Sequence, residues 1–215
     1  IDPAAALAQV GGASDGAVTG VDFAVAKFDW GEIRTLDAGA WFNHRYPGRA
    51  RRSYVGLRVL TLDELLAIAE AGHRVPGAFL ETKSALRYPG IERQMVALLL
   101  RRGWMTDDDG PARPDSVTRG AEPTGGGLPH RRLVFQSFVP QSLDSLRSLA
   151  PEVPRILLTE RGVDWSYALA VAARLGAGIG PQALDLVSHP AAVARAHRMG
   201  ILIYPWVLDT RSSMW

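Results

Sequence analysis

Ala78-Phe79-Leu80-Glu81-Thr82-Lys83 reads as a short strand that closes on two opposite charges. An aromatic and an aliphatic residue lead, and no glycine or proline interrupts the run. Four more strand-like runs follow, over 133–138, 155–159, 178–181 and 200–206. Helical signatures lie between and before them. Thr61-Leu62-Asp63-Glu64 has the spacing of a capping box ahead of Leu65, Leu66, Ile68 and Ala69. Ile91, Met95, Val96, Leu98 and Leu99 make a helical stripe that stops at Gly103, and Leu143, Leu146 and Leu149 make another. Asp164 is placed to cap a helix through Tyr167 to Leu175, with Gly176 as its stop. Ser188 is placed to cap one from Pro190 to Met199, before Gly200. Strands alternating with helices imply a parallel α/β sheet, and five units fit either a barrel or an open doubly wound sheet.

In a parallel barrel all strands end on one face, where barrel active sites lie. Polar residues gather at those ends: Glu81 and Lys83, Gln136 and Ser137, Thr159 and Glu160, Gln182, with Trp206 after the last run. Glu81 and Lys83 are two apart, so on a strand they share a side. A carboxylate can ligate a hard cation and an ammonium can take a phosphate oxygen, which suits a phosphate ester bridged to a metal. A structural ion pair inside a barrel fits the same spacing, and both readings stand from the spacing alone.

The chain has 215 residues, 47% hydrophobic and 21% charged, a composition that fits a globular domain and excludes a disordered one. No apolar run reaches the roughly 20 residues a bilayer-spanning helix needs. Net charge is +2, and the arginines are scattered, so nucleic acid is not an expected partner. The one short basic run, Arg49, Arg51 and Arg52, reads as a solvated loop. With no cysteine there is no disulfide or thiolate chemistry. Only two of 24 basic residues are lysines, Lys27 and Lys83, which marks a lysine at a strand end. Residues 1–35 read as loop with one short helix. The stretch at about 104–129 reads as a mobile polar insertion, and its Asp107-Asp108-Asp109 triplet as solvated. The N-terminus does not reveal a compartment, and the sequence does not reveal an oligomeric state.

Several blocks resemble the glycerophosphodiester phosphodiesterase family, in order. Phe79-Leu80-Glu81-Thr82-Lys83 is similar to its metal-binding strand. Leu36-Asp37-Ala38-Gly39 with Trp41-Phe42 resembles the family's LDAG-WF segment. Val59-Leu60-Thr61-Leu62-Asp63-Glu64-Leu65-Leu66 resembles a helix start, and Tyr88-Pro89-Gly90-Ile91-Glu92 follows at the right distance. Phe135-Gln136-Ser137-Phe138 resembles a strand end, and Ala196-His197-Arg198-Met199-Gly200 leading to Pro205-Trp206 resembles the family's close. The resemblance implies a TIM (β/α)8 barrel and metal-dependent hydrolysis of small glycerophosphodiesters to glycerol 3-phosphate and an alcohol. It implies a divalent cation, Ca²⁺ or Mg²⁺, with Glu81 as a ligand and Lys83 on the phosphate. Trp206 would form an apolar wall at the glycerol end, with Gln136 and Phe138 at the mouth.

The same comparison sets a further expectation. The family's His-Arg-Gly, Glu-x-Asp and His-Asp strands have no counterpart among these residues, and Ile1 precedes Asp2-Pro3 where a histidine would stand. His44, His73, His130, His189 and His197 lack the required context, and His197 reads as structural. The expectation is therefore a single barrel domain over 1–215, incomplete on its N-terminal side, with no catalytic residue identified in it. A full barrel needs roughly 250 residues. A non-catalytic barrel that binds a phosphodiester or a protein partner is the alternative, and an unrelated phosphate-handling α/β barrel is a third reading.

Overall fold

The computed structural model describes residues 25–73, 76–105 and 133–207. Asp2-Pro3, Asp107-Asp108-Asp109, His130 and most of the expected insertion lie outside the described residues. The sequence reads as one domain; by contacts the chain divides into two compact units, Ile1–Val75 and Pro76–Trp215.

The first unit carries helices α1 (Trp30–Thr35), α2 (Ala38–Arg45) and α3 (Leu62–Glu70). Side chains hold its turns together. Asp29 caps α1, and Glu32 answers it in a capping box. Thr61 and Glu64 do the same for α3, as their spacing predicts. The Leu36-to-Phe42 block carries no predicted element, yet it starts a helix. Asp37 caps α2, with one carboxylate oxygen accepting from the Ala40 N–H at 2.8 Å and the other from the Gly56 N–H at 2.7 Å. Gly39 is required by packing, because a Cβ there would fall 1.5 Å from the Tyr54 carbonyl oxygen. Asn43 brackets Arg51, donating to its carbonyl and accepting from its N–H.

The second unit alternates strand and helix: β1 (Ala78–Glu81), α4 (Ile91–Arg101), β2 (Leu133–Ser137), α5 (Pro140–Leu149), β3 (Arg155–Thr159), α6 (Trp165–Leu175), β4 (Gly178–Pro181), α7 (Ala183–Ser188) and α8 (Pro190–Arg198). The strands form a parallel sheet in the order β1-β2-β3-β4. The expected fifth strand is present as an extended segment rather than a full ladder. Ile203 bridges Ile179 and Trp206 bridges Gln182, both parallel. Pro205 has no N–H to donate, which an edge segment tolerates. Asp164 caps α6 through the Ser166 and Tyr167 N–H groups, and Gly176 ends it at φ +58. Ser188 does not cap α8. It closes α7, donating its hydroxyl to the Leu184 carbonyl, and His189 takes the cap position without a side-chain capping bond.

The outer face of the sheet is the core. Leu133, Phe135 and Ile179 have no exposed surface, and α5 packs on β2 and β3 while α6 packs on β3 and β4. The sheet is strongly curled. In a flat sheet β1 and the 201–206 segment would stand four strand spacings apart, about 19 Å. Yet the rings of Phe79 and Tyr204 lie 6.3 Å apart, so the two edges bend toward each other over the inner face.

Candidate active site

The inner face follows from the strand alternation. On β1, Leu80 and Thr82 are buried while Phe79 and Glu81 are exposed, so the latter pair looks inward. The register sets Glu81 beside Gln136 and Phe79 beside Val134. Glu81 and Gln136 are thus neighbours on one face at the C-terminal ends of β1 and β2. β1 ends at Glu81, and Lys83 stands two residues beyond it in the turn, exposed. Its placement therefore comes from the turn and not from strand parity. Ser84 enters that turn in the left-handed region, at φ 50, a conformation costly for a residue with a Cβ.

Two aromatic residues close the same end. Phe138 follows β2, and its ring meets Trp206 edge-on at 5.6 Å. The Trp206 indole N–H donates to the Gly180 carbonyl at 3.0 Å, which fixes the ring. The inner positions of β4 are glycines, Gly178 and Gly180, and the second is the more crowded. A Cβ on Gly180 would come within 2.7 Å of Leu158 and 2.9 Å of Ile156. Glu81, Gln136, Phe138 and Trp206, all singled out in the sequence, are thus on strands or strand ends of one sheet, with Lys83 next to Glu81.

Sequence reasoning missed what supports them. Thr82 is 1% exposed and points to the outer face. Its hydroxyl and that of Ser142 on α5 hydrogen-bond at 2.7 Å. Its carbonyl accepts from the Ser137 hydroxyl, and its N–H donates to the Gln136 carbonyl. Thr82 therefore anchors the backbone between Glu81 and Lys83 to β2 and α5. The only signal was a run of small hydroxyl residues at strand ends, which is common elsewhere.

Asp185, 3% exposed, is a second missed residue. Its carboxylate accepts from the Trp165 indole N–H at 3.0 Å and from the Gly162 N–H at 3.1 Å. It thereby holds the loop after β3 at the same end of the sheet. The His189 Nδ1 lies 2.8 Å from the Asp185 carbonyl oxygen. An acid in the first turn of a short helix carries no sequence mark of such a role. Gln182, at the end of β4, keeps its side-chain oxygen buried with no hydrogen-bond partner.

The donor set bears on a cation. A hard divalent ion takes six or more oxygens. Among the described residues no group of three His, Cys, Asp or Glu side chains could hold a metal; Glu81 is one carboxylate, with the amide of Gln136 beside it on β2 and that of Gln182 farther off after β4. These residues do not make a complete metal site. His44 lies in the last turn of α2, His73 after α3, His189 caps α8 and His197 is exposed on α8. Among the described residues no helix is long and apolar enough to cross a membrane.

Residues 10–215 match the model of the glycerophosphoryl diester phosphodiesterase family. A Bacillus subtilis protein named glycerophosphodiester phosphodiesterase is 29% identical over 186 residues, 85% of this chain and 55% of that protein. A Mycobacterium tuberculosis protein named as a glycerophosphodiester phosphodiesterase is 31% identical over 86% of this chain and 60% of its own length. The chain thus spans little more than half of the curated relatives it matches. A crystal structure named as a glycerophosphoryl diester phosphodiesterase from Silicibacter pomeroyi is similar at TM-score 0.61 and 26% identity, covering 92% of this chain and 63% of that one. One from Galdieria sulphuraria shares the fold, at TM-score 0.56 and 16% identity. The parallel sheet with alternating helices is accordingly part of an α/β barrel.

Proposed function

The chain belongs to the glycerophosphoryl diester phosphodiesterase family, and on that premise we propose that the protein hydrolyses glycerophosphodiesters to glycerol 3-phosphate and an alcohol. The observation that carries this reading is the neighbouring placement of Glu81 and Gln136 at the ends of adjacent strands, with Lys83 two residues after Glu81, in a chain that matches this family over residues 10–215.

The reaction breaks the bond between phosphorus and the alcohol oxygen. Water forms the new P–O bond, one of its protons ends on the leaving alcohol, and the phosphate stays with glycerol. Negative charge builds on the non-bridging oxygens in the transition state, so fixed positive charge there lowers the barrier. We assign that task to the Lys83 ammonium. Trp206 and Phe138 offer an apolar wall against the glycerol carbons, and Gln136 an amide to orient an oxygen. Glu81 would give one carboxylate to a divalent cation, Ca²⁺ or Mg²⁺. The remaining ligands would have to come from elsewhere, so no step is drawn through the ion, and no described residue is assigned as acid or base.

The test is release of glycerol 3-phosphate from glycerophosphocholine with Ca²⁺ or Mg²⁺ and with chelator, for the wild type, Glu81→Gln and Lys83→Ala. Loss of one transition-state contact costs on the order of 100-fold in rate. Wild-type rates in both variants would sink the site assignment. No release from any glycerophosphodiester, in protein shown to be folded, would sink the activity.

A further inference from the structure

The proposed hydrolysis leaves one surface of the first unit unused. From Trp41 to Leu60 the sequence holds five arginines and no aspartate or glutamate, and among the described residues no carboxylate pairs with Arg45, Arg49, Arg51 or Arg52. Two of these guanidinium groups lie on rings. Arg45 sits 5.6 Å from the Tyr46 centroid, and Arg49 sits 5.7 Å from that of Phe42 and 6.0 Å from that of Tyr46. The rings form one cluster, with Phe42 5.1 Å from Tyr46 and 5.6 Å from Tyr54. Beside them Val55 is 63% exposed and Leu57 52%.

Together these parts have one chemistry. Unpaired arginines attract anions. A guanidinium stacked on a ring keeps its N–H edge free for phosphate oxygens. Aromatic rings favour the headgroup depth of a bilayer, and exposed aliphatic side chains gain by entering the acyl boundary. We propose that this surface is a peripheral membrane contact that rests on anionic phospholipid. A nucleic acid would satisfy the arginines and rings but offers nothing to Val55 and Leu57, which is why lipid is the better fit. The inference does not depend on the catalytic reading.

The test is co-sedimentation of the 215-residue chain with vesicles of phosphatidylcholine alone and of phosphatidylcholine with phosphatidylglycerol. Binding is expected to the anionic vesicles, weakening as salt rises. Reversing two charges in Arg51→Glu/Arg52→Glu should weaken it by more than about tenfold. Val55→Ser/Leu57→Ser should weaken it also while leaving its salt dependence. Arg93→Glu/Arg101→Glu on α4, with circular dichroism to confirm folding of every variant, should leave it unchanged. No binding to anionic vesicles, equal binding to neutral ones, or equal loss in the α4 variant would overturn the proposal. So would binding of a single-stranded RNA by a protein that ignores the vesicles.

Discussion

Residues 25–73 and 76–207 are held by different forces. In the second unit the main stabilisation is an apolar layer between sheet and helices, in which Leu133, Phe135, Leu143, Leu146 and Leu169 are fully buried. In the first, Leu66 on α3 is the one large apolar side chain among the described residues that reaches that state. There, carboxylates, hydroxyls and an asparagine tie turn to turn: Asp29, Asp37, Asn43, and the pair of Thr61 and Glu64. The lesson is about cooperativity. An apolar core couples many residues at once and loses stability in large steps. Polar tethers each restrain a few residues, so they fail locally and one at a time.

The largest effect should come from the core. Leu169→Ala on α6 deletes a side chain with no exposed surface, and should cost about 2–5 kcal/mol, read as a drop in urea midpoint. Hydrogen exchange should then rise across β2, β3 and β4 together. A loss confined to α6 would break the comparison, because it would mean the second unit also yields piecemeal.

Next is the hydroxyl network under the site. Thr82→Val keeps the shape but strands the buried Ser142 hydroxyl, a cost of about 1–3 kcal/mol. Because Thr82 anchors the backbone between Glu81 and Lys83, turnover of a glycerophosphodiester should fall further than stability alone accounts for. Unchanged turnover in the folded variant would show that the anchor does not position the charges.

A smaller, local effect is expected from Thr61→Ala, which removes the cap of α3 and should cost about 1 kcal/mol. Exchange should quicken over 62–70 and stay as it was in the sheet. A uniform change over both units would merge what the comparison separates.

The smallest effect is the response to acid. Asp37 has its pKa lowered by the Ala40 and Gly56 N–H groups, and Glu64 by the Thr61 N–H and hydroxyl. A carboxyl whose folded pKa is depressed stabilises the fold above its unfolded value, and that stabilisation is lost as pH falls through the folded one. The first unit should therefore loosen below the ordinary carboxylate range. Exchange over 37–56, corrected for intrinsic rate, measures it, and Asp37→Asn should remove most of the pH dependence there. A profile unaltered in that variant would show that the tether carries no measurable stability.

The helices with a capping residue in front and a glycine behind were readable because those signals act within one turn. Asp164 with Gly176 and Thr61 with Glu64 are of this kind. Ser188 shows the limit. As a residue type it is a good cap, but the short helix α7 uses it as its last residue, and the backbone one position on starts α8. Asp37 shows the converse. Its capping bond to Ala40 is local, while its bond to Gly56 joins residues 19 apart, and no local pattern records that partner. Asp185 and Ser142 escaped notice for the same reason.

The alternation of strands with most of the helices, the parallel class of the sheet, the family and the candidate set of Glu81, Gln136, Phe138 and Trp206 were legible in the sequence. Alternation along a strand and the distance between caps are local, and ordered blocks carry ancestry. The meeting of Phe79 with Tyr204 and of Phe138 with Trp206, the anchoring of Thr82 by α5, and the stacking of Arg45 and Arg49 on aromatic rings were decided only in the tertiary structure. These depend on how far the sheet curls and on which distant groups satisfy one another, and such pairings are fixed when the chain packs.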